Sequence, residues 1–423
     1  MNDKQLAIFG GPRAIPDPHP HWQWPPLSKR RTAAVIREME SSCDNEKGYP
    51  AVVEKFENEF ATYNKMRFSI AMNAGTSALF SAFFAIGLKK GDQIITPTMT
   101  FIATATPLAL LGAQPVFADC EPDTGNIDPE DIKRRINKKT KAIVVTHLCG
   151  HPCEMDSICA IAKKYNLFLI EDCSHAHGSL YKGKMVGTFG DIACFSLGRK
   201  ILYGGEAGIL LTNNRKFYER ALLVSDFGPR VENEMTLPET SLYKETGLGL
   251  KCRMHPLAAA ILLYELDRLD DYIKNRKDRL DYLSRGIEKI HGLTPPQTRK
   301  QVTRGGYFSY RPFYHKELLK NLPLEDFLTL LRSEGMEVRK SNNPPLHLMP
   351  LFSNYWPNTR NPKLPNSEKF YKTTLSLPTF TKESYNFIDS YIAAFKKISD
   401  YLMFSNDNLN KLRSTLKTSQ ING

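Results

Sequence analysis

Four clusters in this 423-residue chain combine residue types able to bind an anion, hold a proton and supply a nucleophile. Asn73-Ala74-Gly75-Thr76-Ser77 lies between a short apolar run and a helical one. A glycine followed by hydroxyl residues at a helix start offers N–H groups, hydroxyls and the positive helix end to an anion, most often phosphate. Hydroxyls there are also common as simple N-caps. Glu171-Asp172 ends the apolar run Leu167–Ile170, where a buried carboxylate needs a cation, a metal or a structural partner. Phe195-Ser196-Leu197-Gly198-Arg199-Lys200 precedes the glycine-rich Gly204-Gly205-Glu206-Ala207-Gly208. A lysine just past a buried strand can be a desolvated nucleophile that forms Schiff bases with carbonyl compounds, although a lone lysine is usually a surface residue. Lys251-Cys252-Arg253-Met254-His255-Pro256 brings cations to the start of a long helical stretch, to meet an anion or to cap neighbouring helices. A fifth cluster, His147-Leu148-Cys149-Gly150-His151-Pro152-Cys153, has nitrogen and sulfur ligands that suggest zinc. It ends an expected strand, and no metal is expected there.

The elements that must position these residues are legible as a rhythm. Apolar runs at Phe68–Met72, Gln93–Thr96, Pro115–Ala118, Ala142–Thr146, Leu167–Glu171, Ala193–Leu197 and Gly208–Thr212 read as strands. Between them Thr76–Leu88, Phe101–Leu111, Pro129–Ile136 and Met155–Lys164 read as helices. This alternation predicts an α/β fold with a mostly parallel sheet covered on both faces, and ligands at the carboxyl ends of its strands. A long helix from Pro256 to Ile290 should leave this domain. A smaller C-terminal α+β domain follows, with strand Tyr307–Tyr314, helix Leu324–Glu334 ended by Gly335, and strand Glu337–Arg339. The expected division is an N-terminal arm (1–35), a large α/β domain with its connecting helix (36–290), the small domain (291–402) and a polar tail (403–423). Prolines in PDPHPHWQWPP bar regular helix from the arm, which should drape over another part of the molecule.

Composition narrows the class. With 41% hydrophobic and 24% charged residues the chain is neither mostly disordered nor a coiled coil. No apolar stretch is long enough to span a bilayer, and no secretory signal opens the sequence. Eight cysteines are too sparse for a disulfide scaffold, so a reduced, cytoplasmic protein is expected. The net charge of +12 suits an anionic substrate or a solvated basic surface; no motif supports nucleic acid, and no membrane partner is expected.

A phosphate cradle, a carboxylate for a protonated ring nitrogen and a Schiff-base lysine together meet the needs of pyridoxal phosphate. Over residues 30 to 380 the chain resembles the DegT/DnrJ/EryC1/StrS family of sugar and cyclitol aminotransferases, within fold type I of the pyridoxal-phosphate enzymes. The stretches that carry the resemblance are NAGTSAL, GDQIITPTMTFIATA, GAQPVFADCEPDTGNIDP, KAIVVTHLCGHPCEMD, LIEDCSHAHGSLYKGKMVGTFGDIACFSL, GGEAGILLTN and GLKCRMHPLAAA. LAIFGGPRAIP and GLKCRMHPL lean towards the keto-cyclitol and aminohydroxybenzoate branch.

The resemblance implies a mixed, mostly parallel seven-stranded sheet and a homodimer whose sites are shared between subunits. It implies that Gly75, Thr76, Ser77 and Ser196 hold the cofactor phosphate. Phe101 would stack on the pyridine ring, Asp172 would pair with its nitrogen, and His175, where relatives carry Gln, would lie near the ring. Lys200 would be the catalytic Schiff-base lysine, and Lys251, in place of an Asn, would reach the phosphate of the neighbouring subunit. Arg253 and His347 are candidates to face the substrate. The loop from Ser196 to Lys200 is one residue shorter than in the relatives; counting forward would put Ile201 in the lysine's place, whereas counting back from Glu206 selects Lys200. The implied activity transfers an amino group from glutamate or glutamine to a nucleotide-linked keto sugar or a keto-cyclitol, the cofactor cycling between pyridoxal and pyridoxamine phosphate. A sugar dehydratase using the same cofactor, and a cofactor-binding regulatory protein of the same fold, are the alternatives.

Overall fold

Apolar runs buried on both faces pair into one seven-stranded sheet in the computed structural model, which describes residues 6–16, 24, 28–41, 50–340, 343–356 and 362–404. The strand order is Phe68–Met72, Gly208–Thr212, Ile192–Ser196, Phe168–Asp172, Thr140–Thr146, Gln93–Pro97, Gln114–Ala118. Gly208–Thr212 runs antiparallel to both neighbours, and the remaining pairings are parallel.

Alternate residues of each strand serve opposite faces, as the pleat requires. Ile70, Ile94, Val144, Ile170 and Leu210 pack on one side with Leu79, Phe83 and Leu222 of the helices Gly75–Ala85 and Arg215–Ser225. On the other side Ala71, Phe195, Ile209 and Leu211 meet Phe56, Phe60 and Leu262, from the helices Ala51–Tyr63 and Pro256–Leu266. Ile143, Val145 and Leu169 meet Ile158 and Ile161 of the helix Met155–Tyr165.

A separate core joins Leu280, Leu283 and Ile287 of the helix Leu269–Ile287 to the helices Leu324–Ser333 and Tyr385–Phe404. The start of the chain is seated on this core, with Leu6 and Ile15 fully buried. Glu334, also buried, accepts hydrogen bonds from the Ala7 and Ala14 N–H groups at 2.8 and 3.1 Å. Further along, Trp24 packs edge-on against Tyr272 at 5.0 Å. The rest of the proline-rich stretch, and the polar tail from 405, lie outside the described residues.

Four expectations need correction, the smallest being the strand expected at Glu337–Arg339, which forms at Arg339–Lys340. Phe101–Leu111 is not one helix but two 3-10 turns, Ile102–Thr104 and Thr106–Leu111, broken at Ala105. Pro107 lacks an N–H, and Thr100 and Thr104 send their hydroxyls towards the sheet edge. The stretch from Pro256 to Ile290 divides into Pro256–Leu266 and Leu269–Ile287, with Arg268 at φ −112°, ψ 0° between them. Within Tyr307–Tyr314 only Phe313–Tyr314 forms a strand. Tyr307 takes φ +40°, and the Gly306 and Tyr307 carbonyls turn to the Arg276 guanidinium at 2.7 and 3.3 Å rather than to a ladder.

Candidate active site

Parallel strands end on one edge, so the chain delivers its clusters to one place. Asp172, Ser196 and Thr146 are the last residues of their strands, Asn73 follows Met72, and the antiparallel strand begins there at Gly208. A cavity of about 680 Å³ opens at this edge, with Phe308, Ser309 and Arg311 on its opposite wall. Gly75, Thr76, Phe101, Asp172, His175, Ser196 and Lys200 line it. Ser77 and Lys251 do not. The Ser77 hydroxyl donates to Asn73 Oδ1 at 2.6 Å, and Lys251 is exposed, with Nζ 6.0 Å from the Phe227 ring centre.

The helix Gly75–Ala85 starts without a side-chain cap, leaving its first N–H groups for another acceptor. Close approach builds this turn. A Cβ on Gly75 would lie 2.8 Å from Ser196 Cβ, and one on Gly208 would lie 2.3–2.4 Å from the backbone of Ala74 and Gly75. Backbone donors and the Ser196 hydroxyl therefore converge as a phosphate would require.

Asp172 Oδ2 accepts from the Thr104 hydroxyl at 2.8 Å, and Oδ1 from the Ser174 N–H at 3.1 Å. Thr104 in turn pairs with Thr100, and Thr100 with Thr146, each at 2.8 Å. This buried hydroxyl chain fixes the carboxylate. Thr100 and Thr104 were missed in the sequence; threonine at alternate positions of TMTFIAT was their one signal.

Lys200 is half-buried, and its Nζ lies 3.7 Å from the Phe308 ring centre. Burial lowers its amine to about 8, against the opposing pull of the Asp172 and Glu206 carboxylates. Ile201 is instead buried in the core, so the shortened loop aims Lys200 at the cavity. Arg199 absorbs the tightness with φ +46°, and Trp24 Nε1 donates to the Lys200 carbonyl at 2.9 Å.

His175 is buried and stacks on Phe308 at 4.0 Å and 10°. Burial, then the charges of Lys200 and Arg311, push its pKa well below the ordinary value, so the ring is neutral. Its Nδ1 accepts from the Cys149 N–H at 3.4 Å, which leaves the ring proton on Nε2. Phe101 is 50% exposed at the cavity mouth.

Other candidates fall elsewhere. Arg253 pairs with Asp226 and the Phe227 carbonyl, and His347 Nδ1 shares a proton with the Thr98 hydroxyl at 2.7 Å; neither lines the cavity. His147 bonds Glu171 at 3.1 Å through Nε2 and accepts the Cys153 N–H at 3.0 Å on Nδ1. Glu171 also takes the N–H groups of Gly187, Phe189 and Gly190. Burial raises its carboxyl, but His147 first, and then the Gly190 and Gly187 N–H groups, outweigh burial and the net shift is downward. His147, Glu171 and Cys173 lie close enough to share an ion, yet both ring nitrogens and both carboxylate oxygens already have partners. The chemistry of this group is structural: it pins the turn at 187–190 to the sheet.

The single antiparallel strand and the amine, carboxylate and anion turn on one sheet edge define a fold type I transferase. The chain belongs to the DegT/DnrJ/EryC1/StrS aminotransferase family, whose model matches residues 28–395. It is 33% identical to GDP-perosamine synthase of Escherichia coli O157:H7 over 359 residues, 84% of this chain and 92% of that protein. L-glutamine:scyllo-inosose aminotransferase of Streptomyces griseus is 31% identical over 349 residues, 81% of this chain and 82% of the relative. An aminotransferase structure from Psychrobacter cryohalolentis superposes with a TM-score of 0.83 at 28% identity, covering 91% of this chain and all of the other.

Proposed function

We propose that this enzyme is a pyridoxal-phosphate aminotransferase that moves an amino group from glutamate or glutamine to the keto group of a nucleotide-linked sugar or a cyclitol. The observation that carries the reading is the Lys200 amine facing the same cavity as Asp172 and the uncapped helix start at Gly75. When bound, the cofactor supplies an aldehyde for amines and a protonated ring that accepts electrons. The donor set suits it. The Gly75 and Thr76 N–H groups, with the Thr76 and Ser196 hydroxyls, would hold the phosphate. Asp172, oriented by Thr104 and the Ser174 N–H, keeps the ring nitrogen protonated. Phe101 and His175 line the cavity where the ring would lie. Lys200, with an amine near 8, would hold the cofactor and would take up and return a proton at its own Nζ.

The protein works as a cytoplasmic homodimer, each site completed by Lys251 of the second copy. Phe101, Leu242, Tyr243, Leu248 and Leu250 are exposed apolar residues for a second copy to cover. The division into arm (1–35), cofactor domain (36–290), small domain (291–402) and tail (403–423) goes with this reading. No helix among the described residues is long and apolar enough to cross a membrane.

The test is direct. Purified protein loaded with pyridoxal phosphate should be yellow, and borohydride should fix the cofactor on the peptide holding Lys200. Lys200→Ala should remain unlabelled and lose transamination by roughly 10²–10⁴-fold or more, the usual weight of a proton-transfer group. A colourless wild type without label would end the reading. Product mass separates amination from dehydration, and screening keto sugars against keto-cyclitols finds the acceptor.

A further inference from the structure

The N-terminal arm also reaches the cavity. Trp24 lines it beside Lys200, and its indole N–H donates to the Lys200 carbonyl at 2.9 Å. The loop that carries Lys200 is tied at its base. There the Leu197 N–H donates to the Ala207 carbonyl and the Gly204 N–H to the Leu197 carbonyl, both at 2.8 Å. At the apex, no backbone N–H among the described residues reaches the Lys200 carbonyl, and the indole takes that place. The apex is also where the loop is tight. Arg199 stands at φ +46°, a left-handed conformation that a residue with a side chain keeps only under constraint.

The indole is itself held in place. Tyr272 and Arg276 lie four residues apart on the helix Leu269–Ile287, so they share a face. Trp24 packs edge-on against the Tyr272 ring at 5.0 Å, and the Arg276 guanidinium lies 4.9 Å from the Trp24 ring centre. That guanidinium donates to the Gly306 and Tyr307 carbonyls at 2.7 and 3.3 Å. Phe308, the next residue, has its ring centre 3.7 Å from Lys200 Nζ. One side chain therefore touches both parts of the frame around the amine: the backbone that carries it, and the arginine that sets the ring beside it.

We propose that Trp24 is a positioning residue for Lys200, its N–H holding the loop apex and its ring bracing Arg276, so that the amine stays beside Phe308 in the cavity. The assignment rests on the aminotransferase reading above. Without the indole N–H, Arg199 can leave the left-handed region and carry the Lys200 backbone with it.

The experiment compares wild type with Trp24→Phe, which keeps a ring for Tyr272 and Arg276 but has no N–H, and with Trp24→Leu, which keeps neither. Competitive acetylation of the cofactor-free full chain with acetic anhydride, read on the peptide holding Lys200, gives the pH at which that amine loses its proton. In wild type the break should lie near 8. In Trp24→Phe it should move up by about half a unit or more, because a loosened amine meets water, and in Trp24→Leu further. With cofactor restored, kcat for Trp24→Phe should fall roughly 2- to 12-fold, the weight of one neutral hydrogen bond, with KM for donor and acceptor unchanged. A lower melting temperature with break and kcat unmoved would make Trp24 a packing residue only and overturn the proposal. A change confined to KM would put the indole against the substrate and overturn it as well. If borohydride fixes no cofactor in wild type, the aminotransferase reading fails, while acetylation of the cofactor-free chain still judges Trp24.

Discussion

At the residue scale, the ionisation of Lys200 sets what the site can do and when. Its amine sits near 8 rather than at the ordinary 10.5, because burial disfavours the charged form more than Asp172 and Glu206 favour it. Only the neutral amine attacks an aldehyde. Capture of pyridoxal phosphate by cofactor-free protein should therefore quicken about tenfold per pH unit up to about 8 and level off above. Glu206→Gln removes a carboxylate that raises this value, so the break should move to lower pH. Stopped-flow absorbance across pH measures both, and a break at the ordinary lysine value would contradict the burial argument. His175 should show no such dependence near neutrality, since its ring is already uncharged there.

At the element scale, the anion turn depends on how near a strand can start to a helix. Gly208 opens its strand against the backbone of Ala74 and Gly75, where a Cβ would be 2.3–2.4 Å from atoms that cannot rotate away. Gly208→Ala should cost about 1–3 kcal/mol by overpacking and weaken cofactor binding together with stability. Gly205→Ala is the control. Gly205 has φ +92° but open space around it, so the cost is about 1 kcal/mol from the backbone alone. Calorimetric melting separates the two. The elements themselves were largely legible, because strands buried on both faces are written as continuous apolar runs and their partners as helical spacing. The 3-10 turns after Phe101 were not, because their shape is set by Thr104 bonding Asp172, a residue 68 positions later.

At the scale of the whole molecule, the N-terminal arm ties the second core to the lysine loop. Buried Glu334 accepts the Ala7 and Ala14 N–H groups and pairs with Lys397 at 2.8 Å, while Trp24 reaches the Lys200 carbonyl. Glu334→Ala leaves two part-buried N–H donors without their acceptor and Lys397 with the Pro12 carbonyl in place of its carboxylate, and should cost roughly 1–3 kcal/mol. A lowered urea midpoint, with faster cleavage of the arm by protease, would register it. An unchanged midpoint would mean the arm is not held by these bonds.

The amino-acid sequence by itself determined the strands, the edge at which they end, and therefore Asp172, Ser196 and Gly75 as neighbours, with Lys200 selected by the family resemblance, counting back from Glu206. Each of these lies at the end of, or a few residues beyond, an apolar run, so local pattern and the geometry of parallel strands suffice. Tertiary structure alone decided the opposing wall. Phe308 and Arg311 come from a segment expected as a strand that pairs only at Phe313–Tyr314, Arg276 from the helix Leu269–Ile287, whose rhythm does not say what its guanidinium meets, and Trp24 from a proline-rich arm. Their places follow from long-range packing: carbonyls turned towards a buried guanidinium, a ring stacked on His175, and an Arg311 Nε buried without a partner among the described residues. Such contacts have no period along the chain, which is why only folding reveals them.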